Sequence, residues 1–365
     1  MSSHVPHSIG IIGLGNIGRY HAEQLSSLTA QLDVEITGGM DISPMARDRF
    51  EEAFGAPAYD DPESLYETTD SVIITTPNQY HEEYAVGALN ADNNVLIEKP
   101  VAHTIDSAKR VHETATQSSG ICMVGFHNRF ASPVQVLKQY VREGRFGEIH
   151  HIEAKYIRRR GVPGRGTWFT EEESAGGGAL IDIGAHAIDL ALYLLDFPCV
   201  TEVSGVTRSV FGDRPDYTHL EMWGEHGDGP FDVDDSANAF IRCADASTIS
   251  LDVAWAANRT PSTEFVIQGT DAGARLDLSD GELTVFESSS AGAPHFSDSE
   301  ITTRDENPHR QEQRQFIEAV REGRPLSVNT VEQGIVVQQV MDATYRSSER
   351  NGAITLDTEP MPTAD

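Results

Sequence analysis

Lysine is nearly missing from this chain. Only Lys99, Lys109, Lys138 and Lys155 occur, and arginine supplies the rest of 27 basic residues against 57 acidic ones, a formal charge of -30. Such a surface repels phosphate backbones and anionic lipid, which argues against nucleic acid and membrane as partners. It also repels itself, so a salt-rich, screening milieu suits it. Cysteine is scarce too. Cys122, Cys199 and Cys243 are widely spaced and odd in number, without a disulfide framework or a metal-type pair. No apolar run approaches a membrane span. Met1 to Ser8 lacks the basic and apolar regions of a signal peptide. A cytoplasmic location is the expectation.

What is present begins with Gly13-Leu14-Gly15-Asn16-Ile17-Gly18, after the apolar Ile9, Ile11 and Ile12 and before a helical pattern near Arg19. Gly13 permits a tight turn, Gly15 lets backbone amides approach a pyrophosphate, and Gly18 lets the helix pack closely on the strand. The motif is weak alone; the flanking strand and helix give it weight. Asp41, after the next apolar stretch, suits the adenosine ribose hydroxyls and would repel a 2'-phosphate. That favours NAD, with NADP kept open by Arg47 and Arg49.

Short apolar runs alternate with helical patterns over residues 8–126: strands at 8–13, 32–40, 71–75, 94–97 and 121–126, helices at 19–30, 44–54, 81–89 and 104–117. This predicts an α/β fold opening with a doubly wound parallel Rossmann sheet, expected to hold six strands, of which five are located by these runs. After residue 128 the pattern changes. A helix at 133–143, a strand at 149–157 and an apolar helix at 185–195 precede alternating runs at 201–210, 236–243, 247–257, 263–269, 274–278 and 282–287. These predict a second α/β domain with a large, mainly antiparallel open sheet. Residues 212–235 read as a polar insertion, 288–309 as loop, 308–321 and 330–348 as closing helices, and 356–365 as a mobile tail. The expected division is therefore 1–127, 128–350 and a tail at 351–365.

Candidate site residues gather at predicted strand ends. Thr76, Asn78 and His81 follow the 71–75 strand and suit cofactor contacts. Pro77 shapes their loop, and His81 is equally well read as a satisfied core histidine. Glu98 and Lys99 end the 94–97 strand before Pro100. The Lys99 ammonium there can steady an alkoxide as hydride leaves, with Glu98 orienting it, or its neutral amine can itself take the hydroxyl proton in place of a histidine. Asn16 and Ile17 belong to the phosphate loop. Asp182-Ile183-Gly184-Ala185-His186 follows Gly176-Gly177-Gly178, and its acid and imidazole, four apart, share a helix face. Histidine suits proton transfer from a secondary alcohol, and the acid can hold its tautomer or a vicinal hydroxyl. No third ligand is spaced for a metal, so none is expected. Arg129, Arg160 and Trp168 are candidate substrate contacts, and a structural role fits each as well.

The pieces GLGNIG (13–18), TPNQYH (76–81), EKP (98–100), GFHNR (125–129) and GGGALIDIGAHAIDL (176–190) together resemble the glucose-fructose oxidoreductase / inositol dehydrogenase / rhizopine catabolism family. The resemblance implies catalytic Lys99, Asp182 and His186, and reversible hydride transfer between a nicotinamide and a hydroxyl-bearing carbon. It also implies a small sugar or polyol substrate bound between the domains, and a homodimer or homotetramer built on the open sheet. The acidity resembles that of haloarchaeal members, pentose dehydrogenases among them. Two other readings stay open: a glycoside hydrolase of this fold that uses retained NAD, and a dinucleotide-binding regulator without turnover.

Overall fold

A computed structural model describes residues 6–220 and 227–358. The chain forms two compact units, neither contiguous: 1–127 with 307–335, and 128–306 with 336–365. A simple cut at residue 128 put both closing helices in the second domain. Instead Pro308–Glu322 belongs to the first unit, and the division falls inside the last helix, Val331–Arg350.

The first unit carries six parallel strands: β1 His7–Ile12, β2 Val34–Met40, β3 Ala58–Tyr59, β4 Ser71–Ile74, β5 Asn94–Glu98 and β6 Cys122–Gly125. Their order is β3-β2-β1-β4-β5-β6, so the winding reverses between β1 and β4. Ligands of such sheets lie outside the carboxyl ends at that reversal. The central strands read as apolar runs because both faces are covered: Ile11, Ile12, Val72, Ile74, Val95 and Ile97 are fully buried. Helix boundaries follow local chemistry. Ser43 caps Pro44–Phe54, which has proline in its first turn and left-handed Gly55 after its end. Thr104 caps Ile105–Gln117. The first helix runs Asn16–Ser26, three residues earlier than its apolar pattern suggests, so residues 16–18 form its first turn. β3, two residues long, is too short for any periodicity to reveal.

The second unit holds nine strands among the described residues: β7 Ile149–Ile157, β8 Val200–Arg208, β9 Ser236–Cys243, β10 Thr248–Ala254, β11 Ser262–Gly269, β12 Ala272–Asp277, β13 Glu282–Ser289, β14 His295–Ile301 and β15 Ile354–Thr355. The order is β14-β13-β12-β11-β7-β10-β9-β8-β15, antiparallel except for β7 beside β10. β14 corrects the loop expected at 288–309. It is an edge strand with Phe296 88% exposed, and with no buried face it has no alternation to betray it. β15 ties the start of the expected tail to β8, and Val200 N–H donates to Thr358 Oγ1 at 2.7 Å. Residues 359–365 lie outside the described residues, as do 221–226 of the predicted insertion.

Glu172–Leu194 is a helical stretch long and apolar enough to cross a membrane, against the expectation that none approached that length. Its most apolar window is 94% buried inside the protein, which makes it a core element. It contains a π-helical turn, Leu180–Gly184, leading into the helix Ala185–Leu194.

Candidate active site

In the first unit the glycine loop is shaped for a close-lying ligand. Gly13 sits at φ +89, and a Cβ there would press on the Thr75–Thr76 backbone at 2.9 Å. A Cβ on Gly18 would overlap the Gly13 carbonyl, so only glycine lets the helix sit this near β1. Above Gly15 a Cβ meets nothing within 4 Å, and Gly15 caps the helix without a side chain. The first-turn amides thus face open space with no capping oxygen, which fits a pyrophosphate.

The Asp41 carboxylate braces that loop. It accepts Leu14 N–H at 2.7 Å and Ser43 N–H at 2.8 Å, while Arg47 Nη1 donates to the Asp41 carbonyl at 2.7 Å. Each carboxylate oxygen keeps a second lone pair for a ribose hydroxyl. Thr75 Oγ1 donates to the Gly13 carbonyl at 2.6 Å, tying β4 to the loop. Next to it, Thr76 Oγ1 is buried with no hydrogen-bond partner. That orphaned hydroxyl at the sheet's carboxyl edge fits a bound cofactor.

His81 has other work. Its Nδ1 lies 2.9 Å from the Pro100 carbonyl and its Nε2 2.9 Å from the Thr76 carbonyl, so the ring staples the loops after β4 and β5. Burial pushes its pKa down, against the pull of those two carbonyls. These contacts give His81 the structural role that the sequence allowed beside a cofactor contact. Asn78, 8% exposed, opens the short turn Asn78–Tyr80 beside it.

Glu98 ends β5, its Oε2 accepting Lys99 N–H at 3.2 Å and its Oε1 2.9 Å from His21 Nε2. Burial pushes the Glu98 carboxyl up. The His21 hydrogen bond and the charges of His21, His309 and Lys99 outweigh that and bring it to about 2. His309 stacks on His127 with ring centroids 3.7 Å apart, and burial brings its pKa down to about 4.

In the second unit Asp182 lies in the π-helical turn and His186 in the first turn of the helix that follows. Asp182 Oδ2 accepts the Trp255 indole N–H at 2.8 Å, with Arg158 Nη1 at 3.5 Å. Trp255 is fully buried, and His186 is 7% exposed. The turn is clamped from behind by Asp234. Its carboxylate accepts Gly178 N–H at 2.8 Å, Leu180 N–H at 2.9 Å and the Tyr345 hydroxyl at 2.6 Å. π turns cost helix hydrogen bonds and often mark functional positions.

Three candidates have structural tasks. Arg129 is 1% exposed, chelates Asp189 through Nε and Nη2, and packs between the Tyr193 and Phe197 rings. Arg160 donates to the Ala257 carbonyl and Asn258 Oδ1 and covers the Phe211 ring at 4.4 Å. These contacts give both arginines the structural role that the sequence allowed beside a substrate contact. Trp168 stacks on Phe169 at 3.9 Å, which occupies one face of its ring.

The sequence matches the model of an oxidoreductase family with an NAD-binding Rossmann fold over residues 7–126, and the GFO/IDH/MocA C-terminal domain over residues 134–275. The chain belongs to the GFO/IDH/MocA oxidoreductase family. It is 31% identical to D-glucoside 3-dehydrogenase of Escherichia coli K12, over 96% of this chain and 98% of that enzyme. It is also 31% identical to the NADP-dependent D-xylose 1-dehydrogenase of Haloarcula marismortui, over 50% of this chain and 49% of that one. The fold superimposes on levoglucosan dehydrogenase in complex with NADH at a TM-score of 0.85 and 23% identity, over 97% of this chain and all of the other.

Against that family frame, sequence reasoning passed over Thr75, His21, Trp255 and Asp234. Trp255 and Asp234 are remote in sequence from the motif they support. The signal for Asp234 was a carboxylate pair, Asp234-Asp235, at the start of a strand and inside a segment that read as plain acidic surface.

Proposed function

We propose that this GFO/IDH/MocA oxidoreductase oxidises a secondary ring hydroxyl of a small pyranose sugar or glycoside, with NAD preferred over NADP. The observation that carries the reading is the Asp182 carboxylate, fixed by Trp255 N–H and Arg158 in the turn leading to His186. A carboxylate so held accepts a sugar hydroxyl in one geometry, and likeness to D-glucoside 3-dehydrogenase along nearly the whole chain points to a glucoside-type ring. His186 takes the hydroxyl proton during oxidation, and Lys99 steadies the oxygen as negative charge grows. Trp168 offers the free face of its ring to the sugar. The glycine loop, Asp41 and Thr76 hold the dinucleotide. Bound there, NAD supplies the hydride acceptor, and the protein supplies orientation and charge.

The test is a panel of glucosides, free hexoses, pentoses and inositols with NAD and NADP at low and high KCl. NADH accumulating with glucosides supports the reading. Glycoside cleavage without net NADH makes the chain a hydrolase instead, and cofactor binding with no turnover on any substrate makes it a regulator.

The proposal extends to a cytoplasmic homodimer or homotetramer formed through the open face of the second unit's sheet. Phe240, Phe286 and Val206 are more than a third exposed there, apolar side chains that a partner copy would cover. Light scattering on Phe240→Asp and Phe286→Asp tests it; an assembly unchanged in both variants sinks this part.

A further inference from the structure

We propose that His21 is a positioning residue that, with its tautomer set by Gln313, fixes the Glu98 carboxylate and through it the turn carrying Lys99. His21 lies inside the helix Asn16–Ser26 and is fully buried, yet it serves neither the glycine loop nor the helix cap. Its Nδ1 is 2.9 Å from Gln313 Nε2, and the same amide nitrogen is 3.0 Å from the His21 carbonyl. A carbonyl accepts only from N–H, so the Gln313 amide has one possible orientation. Nδ1 is therefore an acceptor, and the ring proton sits on Nε2.

That N–H points at Glu98 Oε1, 2.9 Å away, while Glu98 Oε2 accepts Lys99 N–H. The relay links the helix Pro308–Glu322, the helix Asn16–Ser26 and the end of β5. β6 makes room for it: a Cβ on Gly125 would crowd the Glu98 carboxyl carbon and Oε2 at 3.3 Å. The charged and titratable groups facing Glu98 are His21, His309 and Lys99.

His21, Glu98 and His309 also place their ligand atoms within 4.8 Å of one another, close enough for a metal ion. The tautomer argues otherwise, because a protonated Nε2 cannot ligate through that nitrogen.

The proposal rests on the dehydrogenase reading for its effect on turnover, so its test includes readouts that need none. In 15N-histidine spectra of the whole protein, His21 is expected to show a protonated Nε2 and an unprotonated Nδ1. Its Nε2 proton should couple to Glu98, and the Lys99 amide resonance should move in His21→Leu and return in His21→Gln, whose side-chain N–H reaches the same carboxylate. In turnover, His21→Leu should lose at least tenfold in kcat with sugar KM within threefold, and His21→Gln should recover most of it. A protonated Nδ1, a Lys99 resonance indifferent to both variants, or kcat in His21→Leu equal to that of the parent overturns the proposal. So does one equivalent of transition metal retained through dialysis against chelator. If no sugar is oxidised by the parent enzyme, the dehydrogenase reading fails by itself, and the spectra still decide the positioning role.

Discussion

Asp41 does two jobs with one carboxylate, and its removal should separate them. It bonds the Leu14 and Ser43 amides, which fixes the glycine loop, and in the role proposed above it meets a ribose hydroxyl of the cofactor. A hydrogen bond to a charged group contributes about 1.5–3 kcal/mol. Asp41→Ala should therefore raise the KM for NAD by roughly ten- to a hundredfold. The KM for NADP should rise less, because the charge that repels a 2'-phosphate has gone. Initial rates with both cofactors check it, and an unchanged NAD/NADP ratio would remove Asp41 from cofactor choice. His186 is the sharper test of chemistry. Its ring is nearly buried and follows an acid held rigid by an indole N–H. In the proposed role of general base, its loss costs roughly a hundred- to ten-thousandfold in rate. His186→Ala should show that loss in kcat with NADH affinity unaltered, read by stopped-flow turnover and by NADH fluorescence.

At the scale of elements, the parts legible in the sequence were those with a strong local period. Pro44–Phe54 was readable from a proline at its start and a glycine after its end, and β9 from an alternation of buried and exposed positions along its length. β3, β14 and β15 escaped notice because two are too short to show a pattern and the third buries neither face. The candidate site divides the same way. The Lys99, Asp182 and His186 positions are written in contiguous motifs, whereas their supports come from far away. Trp255 is 73 positions from Asp182, and Gln313 is 292 from His21. No local pattern announces such pairs. Arg129 shows the same limit: sequence shows a cation near a domain crossing but not the Asp189 that pairs with it.

The helix Pro308–Glu322 has a pH consequence of its own. His309 on that helix has its pKa lowered from 6.5 to about 4 by burial, so the fold holds it neutral. Between those values the unfolded chain binds a proton that the native chain refuses, and stability falls as pH drops from about 6.5 to 4. The opposite sign of group, Glu98, is depressed from 4.5 to about 2 and gives stability that is lost only as pH falls through that lower window. His309 alone should account for roughly 3 kcal/mol of acid sensitivity. His309→Gln should flatten the stability curve between pH 6.5 and 4, and below pH 4 it should weaken the slope only in part, because His21 and Lys99 still hold Glu98 down. Guanidinium denaturation across that range measures both. A variant as acid-sensitive as its parent would show that the ring titrates freely in the fold.

For the whole molecule, the charge of -30 belongs to the surface. The buried acids are each supplied with donors: Asp189 by Arg129, Asp234 by two amides and a tyrosine, Asp235 by the amides of Val210, Phe211 and Gly212, and Glu312 by Asn329. The interior is otherwise an ordinary core of isoleucine, leucine, valine and alanine. Among the described residues nothing inside calls for salt, so an effect of salt on stability would act on the acids repelling one another outside. The Debye length shrinks from about 10 Å at 0.1 M to about 3 Å at 1 M, which removes repulsion between all but adjacent charges. Each kcal/mol recovered raises Tm by roughly 2–4 °C in a folding unit of about 150–250 residues, the size class of each of the two units. Tm should accordingly climb by more than about 5 °C between 0.1 and 2 M KCl. Sodium chloride should act nearly as well, because screening depends on ionic strength before it depends on the ion. A Tm that stays flat over that range would mean the surface acids are spaced widely enough to ignore each other, and the salt-rich setting would lose its physical basis.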